Sequence, residues 1–204
     1  MQWSECAVMS EPGERPLRSN QLLSKTASRL VVVDVQQKLL DQIPVSGPLV
    51  ENCRRLIRGA EVFGVPVAAT EQYPSGLGPT ATVLSDLLGE IPEKLRFSCA
   101  ECLGPDFSDA SLARRDQVVI CGIEAHVCVL QTALDLSAAG FRVFVVADAV
   151  ASRNKLDWKT ALGRLADSGI VVLTTESVLF EWCEVAGTDE FRQISRLVTG
   201  RDKA

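Results

Sequence analysis

Nearly continuous apolar runs divide the chain into a regular series of elements. Valine and isoleucine fill them without polar alternation, which is typical of strands buried on both faces of a parallel sheet. These runs cover 29–35, 65–70, 117–123, 141–149 and 170–175. The stretches that separate or follow them predict helices at 48–63, 125–139, 155–168, 177–186 and 188–198.

Three of the predicted helices end at a glycine that is followed at once by a strand. The segments are EVFGVPV, SAAGFRV and ADSGIVV, with the glycines at 64, 140 and 169. Glycine tolerates the left-handed conformation that ends a helix without steric strain. The repeated order of helix, glycine and buried strand predicts a three-layer α/β/α fold with a mostly parallel, doubly wound, Rossmann-like sheet.

The size and charge of the chain indicate how many domains it forms and which partners it can bind. It has 204 residues, 47% of them hydrophobic, and a net charge of −5. We expect one packed domain over 27–200, preceded by a flexible N-terminal tail over 1–26. An acidic chain lacks the basic surface that nucleic acid requires, and no apolar run approaches the ~20 residues of a membrane span. Neither nucleic acid nor a membrane is therefore an expected partner.

Seven cysteines, an odd number, are scattered through the sequence. The N-terminal segment contains no apolar stretch of the secretory type. We therefore predict reduced thiols and a cytoplasmic location, while targeting to an organelle by the N-terminal tail stays open.

Two residues lie where ligands bind in such folds, outside the carboxyl ends of the strands. Asp34 closes the first apolar run, and Cys128 lies in the first turn of the helix after the third run. Cys128 is either a small core residue or a nucleophile whose thiolate is favoured by the helix N-terminus. Asp34 is either a structural hydrogen-bonding group or a proton acceptor. The strand period of two places Gln36 on the same side as Asp34.

Other motifs give weaker evidence of a functional site. His126 is the only histidine, and helical residues two apart do not face each other, so a dyad with Cys128 is not expected. Cys99 and Cys102 form a C-x-x-C, but no second pair completes a zinc site. The loop 70–81 follows a strand and predicts a specificity loop, without a phosphate-binding glycine pattern.

The segments VVVDVQ, EKLRFSC and GIEAHVCVLQTALDL, in this order, resemble the isochorismatase-like cysteine hydrolase family. The resemblance extends over 29–199, includes VVADAVASR and TTESVLFEW, and is greatest to the isochorismatase-domain hydrolases without an assigned substrate. On this resemblance, Cys128 matches the family's nucleophile, Asp34 its general acid/base and Lys94 its assisting lysine.

The resemblance implies further features. A cis peptide bond between Ile123 and Glu124 would aim the backbone N–H groups of Glu124 and Cys128 at one oxygen. Members of the family are commonly homo-oligomers. The nicotinamidase branch holds a metal with an aspartate and two histidines, and one histidine cannot assemble that site. No metal and no other cofactor is therefore expected.

The expected function is hydrolysis of a C–N bond in a small amide, ureide or carbamoyl compound through a thioester on Cys128. Gln36 and Tyr73 are the candidate residues that line the substrate pocket. Two alternatives stay open. One is an isochorismatase-type hydrolase that cleaves a vinyl ether without a covalent cysteine, and the other is a non-catalytic binding or scaffold protein that retains the fold.

Overall fold

The computed structural model describes residues 18–104 and 115–201, and its centre is a single parallel sheet. The six strands are β1 Ser28–Val33, β2 Val67–Gln72, β3 Glu93–Lys94, β4 Gln117–Ile123, β5 Arg142–Ala151 and β6 Val171–Leu173. Their order in the sheet is β3-β2-β1-β4-β5-β6, and every neighbouring pair is parallel. This order reverses between β1 and β4, where ligands bind in doubly wound sheets.

Helices cover both faces of this sheet. They are α1 Gln37–Leu40, α2 Ser46–Phe63, α3 Pro74–Leu77, α4 Thr82–Ser85, α5 Leu130–Ala138, α6 Lys155–Asp167, α7 Thr175–Cys183 and α8 Asp189–Val198. Helices α2, α7 and α8 pack together on one face, and α5 and α6 pack on the other. The predicted three-layer α/β/α fold is therefore confirmed. In the described ranges no helix is long and apolar enough to cross a membrane.

All five predicted strands form, but their bounds differ by a few residues. β1 ends at Val33, earlier than predicted, because Asp34 turns into the left-handed region with φ of 51°. β3 is absent from the prediction because its two residues, Glu93 and Lys94, form no apolar run. The four-residue helices α1, α3 and α4 are likewise too short to show a hydrophobic period.

A buried polar network closes the amino-terminal edge of the sheet. Trp182 Nε1 donates to Ser28 Oγ over 2.9 Å, and Ser28 Oγ donates to Gln117 Oε1 over 3.1 Å. Gln117 Nε2 donates to Leu22 O over 2.9 Å, while Ser24 N donates to Gln117 Oε1 over 2.7 Å. This network joins α7 to the starts of β1 and β4 and to the chain that precedes them.

The segment before β1 packs against the domain. Leu23 is fully buried, and Arg18 forms a 2.9 Å ion pair with Glu184. Of the flexible tail predicted over 1–26, residues 18–26 include these contacts with the domain, and the flexibility of the tail stays a prediction. The remainder of that predicted tail, 1–17, lies outside the described residues.

Strands β1 and β4 approach each other closely at Gly122. Its φ of 118° is one that residues with a side chain rarely adopt, and a methyl group added there would lie 2.0 Å from Val33 O. Only glycine therefore allows the two backbones to come together at the carboxyl edge of the sheet.

Replacing Gly122 by alanine is expected to lower the free energy of unfolding by about 3 kcal/mol or more, because the methyl group must displace the backbone of β1. Denaturant titration of the purified variant measures this change. Gly163→Ala is the matched control, since Gly163 lies within α6 and a methyl group there meets nothing within 4 Å. It should gain about 0.5–1 kcal/mol. Similar small effects for both variants would contradict the close approach.

Candidate active site

Asp34 is fully buried at the carboxyl end of β1. Its backbone lies in the left-handed region, which aspartate tolerates better than most residues. Asp34 N donates to Thr70 O over 3.1 Å, and Thr70 Oγ1 donates to Asp34 Oδ1 over 2.9 Å. Strand β2 therefore fixes both the backbone of Asp34 and one of its carboxylate oxygens.

Lys94 reaches the other carboxylate oxygen from the edge strand β3. Its Nζ donates over 2.6 Å to Asp34 Oδ2 and over 2.6 Å to Gln72 Oε1. The carbonyl oxygens of Phe97 and Arg96 lie 2.9 and 3.3 Å from the same nitrogen. The side chains of this ion pair are only 2% and 0% exposed, so the surrounding acceptors stabilise a charge that burial alone would disfavour.

Cys128 lies in a π-helical turn, Ala125–Val129, between β4 and α5. Such turns occur frequently at functional sites. The residue is 5% exposed, and its thiol lies close enough to Asp34 and Lys94 for both groups to change its pKa. The structure thus brings together the three residues that the resemblance identifies as catalytic.

The electrostatics of the thiol depend on burial and on two neighbouring charges. Burial raises the pKa of Cys128 far above its usual value, the Asp34 carboxylate raises it further, and the Lys94 ammonium opposes both. One of the two sequence-based interpretations of Cys128 invoked a helix N-terminus that favours the thiolate. Loss of hydration and an adjacent carboxylate act in the opposite direction and favour the thiol form.

Asp34 has the properties of a proton acceptor. Burial raises the pKa of its carboxyl group, while the charge of Lys94 and hydrogen bonds from Lys94, Cys128 and Thr70 lower it. With burial as the largest effect, the carboxylate holds a proton more readily than an exposed aspartate does. This makes it a stronger base toward the adjacent thiol.

The Ile123–Glu124 peptide bond is cis, and it precedes the turn that carries Cys128. Glu124 O accepts from Val127 N over 3.0 Å and from Val129 N over 3.2 Å. Its side-chain Oε2 accepts from Arg153 N over 2.9 Å and from Arg153 Nε over 3.2 Å. Arg153, in the connection between β5 and α6, therefore binds the carboxylate of Glu124. The backbone N–H of Glu124 is left as the group available near Cys128.

His126 contacts a residue other than the cysteine. Its Nδ1 lies 2.9 Å from Ser152 Oγ, at the end of β5. The structure therefore pairs His126 with Ser152, in agreement with the argument that His126 and Cys128 point in different directions from one turn.

Gln36 forms hydrogen bonds to strand β2 and to the loop that follows it. It is fully buried, and its Oε1 accepts from Gln72 N over 2.8 Å. Its Nε2 donates to Gln72 O over 3.0 Å and to Gly78 O over 2.5 Å. The strand period that placed it beside Asp34 fails because Asp34 is not extended. With its amide atoms engaged in this way, Gln36 holds Gln72 in place. Contact between Gln36 and a substrate stays a prediction.

Tyr73 lies beside the site at the start of the loop after β2. Its side chain is 51% exposed, and its backbone N–H donates to Lys94 O over 2.9 Å. The loop predicted at 70–81 begins only here, because its first three residues belong to β2. Contact between Tyr73 and a substrate stays a prediction.

Thr70 and Gln72 are site residues that the sequence reasoning missed. Thr70 donates to Asp34, and Gln72 accepts from Lys94, so each orients one member of the ion pair. Both are polar residues near the carboxyl end of a buried strand. The argument that singled out Asp34 on β1 would have identified them on β2 as well.

The C-x-x-C lies near the site but does not form a disulfide. Cys99 accepts from Thr132 Oγ1 over 3.4 Å, and burial raises its pKa to about 12. Cys102 is half-buried, and its Sγ donates to Cys99 O over 3.3 Å. The six described cysteines are all free thiols. In 18–104 and 115–201 no group of three or more histidine, cysteine, aspartate or glutamate side chains is arranged to hold a metal ion.

The cluster combines three chemical functions within one buried volume. Cys128 supplies a nucleophilic atom, Asp34 can take and return a proton, and Lys94 supplies a fixed positive charge. A nucleophile, an adjacent base and an orienting group are the parts that covalent catalysis requires.

Comparison with known proteins agrees with this geometry. The family model of the isochorismatase domain matches residues 28–177. Isochorismatase domain-containing protein 1 of Danio rerio is 36% identical over 199 residues, which are 95% of this chain and 69% of that protein. Secreted isochorismatase effector Isc1 of Phytophthora sojae is 36% identical over 180 residues, 84% of each chain.

A solved structure of similar sequence shares the fold. The solved structure of the MAR1 ribonuclease from Caenorhabditis elegans is 34% identical, with a TM-score of 0.80 over 87% of this chain and 92% of that chain. The domain match covers most of the sequence, and the relatives exceed 30% identity over nearly all of it. The chain therefore belongs to the isochorismatase domain family, among the isochorismatase-like hydrolases.

Proposed function

We propose that the protein cleaves a C–N bond of a small amide, ureide or carbamoyl compound through a thioester on Cys128. The observation that carries the proposal is the contact of the Cys128 thiol with the buried Asp34–Lys94 ion pair. A buried ion pair placed against a thiol has no evident structural advantage over apolar packing, since its desolvation is costly. Such an arrangement is typical of a site that moves protons.

The first half of the reaction forms the thioester. The Cys128 sulfur attacks the carbonyl carbon while Asp34 takes the thiol proton. Because the thiol pKa is raised, this proton moves as the S–C bond forms. Lys94, held by four oxygen acceptors, stays charged and stabilises the negative charge that develops. Protonated Asp34 then gives its proton to the departing nitrogen as the C–N bond breaks.

The second half restores the thiol. Asp34, again a carboxylate, takes a proton from a water molecule that attacks the thioester carbon. The S–C bond breaks, the carboxylic or carbamic acid leaves, and the proton returns to Cys128.

Backbone groups of the turn are the proposed donors to the oxyanion. Glu124 directly precedes the π-helical turn and Cys128 lies within it, and the Glu124 side chain is fixed by Arg153. A single oxyanion donor is worth about 3–4 kcal/mol in the transition state. The position of Ile123 and Glu124 is therefore as important as the identity of the side chains.

Hydrolysis of a vinyl ether is the second candidate, favoured by the name of the Phytophthora sojae relative. Asp34 would serve as a proton donor in that reaction, and no covalent bond to Cys128 would form. The Caenorhabditis elegans relative is a ribonuclease by name, but a net charge of −5 disfavours a polyanionic substrate here.

Two further proposals concern the cellular compartment and the oligomeric state of the protein. The six described free thiols support a reducing compartment such as the cytoplasm. Association into a homo-oligomer is supported by Leu95 and Phe97, which are 76% and 51% exposed beside Lys94 on the edge of the sheet.

Substitution of the reactive groups should abolish amide hydrolysis. Cys128→Ser and Lys94→Met are each expected to lower turnover of a panel of small amides and ureides by about 1,000-fold or more, measured as ammonia release. Cys183→Ser and Lys159→Met are matched controls outside the cluster and should retain activity. Loss of isochorismate hydrolysis by Asp34→Asn with retention by Cys128→Ser would favour the vinyl ether reaction instead.

Alkylation rates should show separately how the charges of Asp34 and Lys94 affect the thiol of Cys128. Asp34→Asn removes the anion that raises the pKa of Cys128 and leaves Lys94, so iodoacetamide should label Cys128 about tenfold faster or more at pH 8. Lys94→Met removes the opposing cation and should slow labelling by a similar factor. Peptide mass spectrometry follows each site, with Cys183, which lies outside the cluster, as the internal control. Changes in the same direction for both variants would contradict the proposed electrostatics.

The pH profile of kcat/KM should report the raised pKa of Asp34. The reaction needs the ionised carboxylate, so kcat/KM is expected to fall as the pH drops through a value above the ordinary 3.8 of an aspartate. Circular dichroism at each pH shows whether the fold persists. A profile that stays flat down to pH 4 on a folded enzyme would exclude Asp34 as the base.

A further inference from the structure

A cavity lies at the carboxyl edge of the sheet, apart from the cluster of Asp34, Lys94 and Cys128. It occupies about 440 Å³ between the start of α2 and the connection from β5 to α6. This volume is within the range of small-molecule sites, about 300–1,000 Å³. Asp34, Lys94 and Cys128 do not line it. Most of its wall is apolar and comes from Pro44, Pro48, Leu49, Val150, Ala151 and Trp158.

Several polar groups of the wall are already committed to the protein. Asp148 Oδ1 accepts from Thr175 N over 2.8 Å and from Thr175 Oγ1 over 2.9 Å, so the carboxylate caps α7. Trp158 Nε1 donates to Val150 O over 3.1 Å and leaves its ring carbons to the cavity. Ser152 Oγ is paired with His126. An occupant therefore meets a predominantly hydrophobic surface.

Two cations at the rim remain available to an occupant. Arg153 uses its Nε on Glu124, and its side chain is 57% exposed. Lys155 is the other cation of the lining, and within 18–104 and 115–201 its ammonium forms no ion pair with a carboxylate. Asp148 keeps its negative charge but directs Oδ1 at the start of α7, and Arg153 pairs with Glu124. Within the described residues, Lys155 is therefore the cation of the lining that has no carboxylate partner.

We propose that this cavity binds a small organic carboxylate with an apolar body, such as an aromatic or branched aliphatic acid. The body would fill the space beside Trp158 and Leu49, and the carboxylate would contact Lys155 and the terminal nitrogens of Arg153. The proposal does not depend on the catalytic reaction. Because Arg153 and Ser152 contact Glu124 and His126, the occupant binds against the residues that support the nucleophile turn.

Binding of benzoate, with benzamide as its neutral isostere, tests the proposal. The protein carries three tryptophans, and the indole N–H signal of Trp158 is assigned in ¹H–¹⁵N spectra with Trp158→Phe. Benzoate should shift this signal saturably, whereas Trp182, fully buried with its N–H on Ser28, should not respond. Benzamide should bind at least about fivefold more weakly, because it lacks the charge that pairs with Lys155.

Two lysine variants on one helix complete the test. Lys155→Met should weaken benzoate binding about fivefold while its apolar stem is kept, and Lys159→Met, on the same helix but outside the lining, should leave binding unchanged. Equal binding of benzoate and benzamide, equal effects of the two variants, or no saturable shift would overturn the proposal. A Trp158 signal that moves with protein concentration and not with benzoate would show that a second copy of the chain covers the cavity, and would also overturn it.

Discussion

The buried ion pair between Asp34 and Lys94 is the constraint on which the rest of the site depends. Taking two charges out of water costs several kcal/mol per ion, so the pair persists only where every remaining polar atom is satisfied. Three neighbouring strands meet this condition: β1 ends at the carboxylate, β2 supplies Thr70 and Gln72, and β3 supplies the ammonium. The register of the parallel sheet, more than the loops, therefore sets the positions of the reacting groups.

Much of this arrangement is predictable from the sequence because buried strands leave a strong apolar signal. Once the strands are placed, the polar residues at their carboxyl ends must meet at one edge, which singles out Asp34 and Cys128. This argument does not identify Lys94, because β3 is only two residues long. Only the resemblance to a family identified Lys94. The strand period could not place Gln36, because one left-handed residue, Asp34, ends that period before it.

The state of the thiol could not be inferred from local sequence at all. Position at the start of a helix favours a thiolate, whereas burial and the carboxylate of a distant segment favour the thiol. These tertiary effects depend on Asp34, which lies far from Cys128 along the chain. In the proposed reaction, a thiol would be less prone to alkylation and oxidation than a thiolate before a substrate binds.

The polar network of Trp182, Ser28 and Gln117 lies at the edge of the sheet opposite the reacting groups. It anchors the N-terminal segment and α7 without using any atom of the catalytic cluster. Because the two groups of contacts share no residue, a substitution at one edge is expected to leave the contacts of the other in place. Residues at the carboxyl edge can therefore be exchanged without loss of the contacts that hold the amino-terminal edge together.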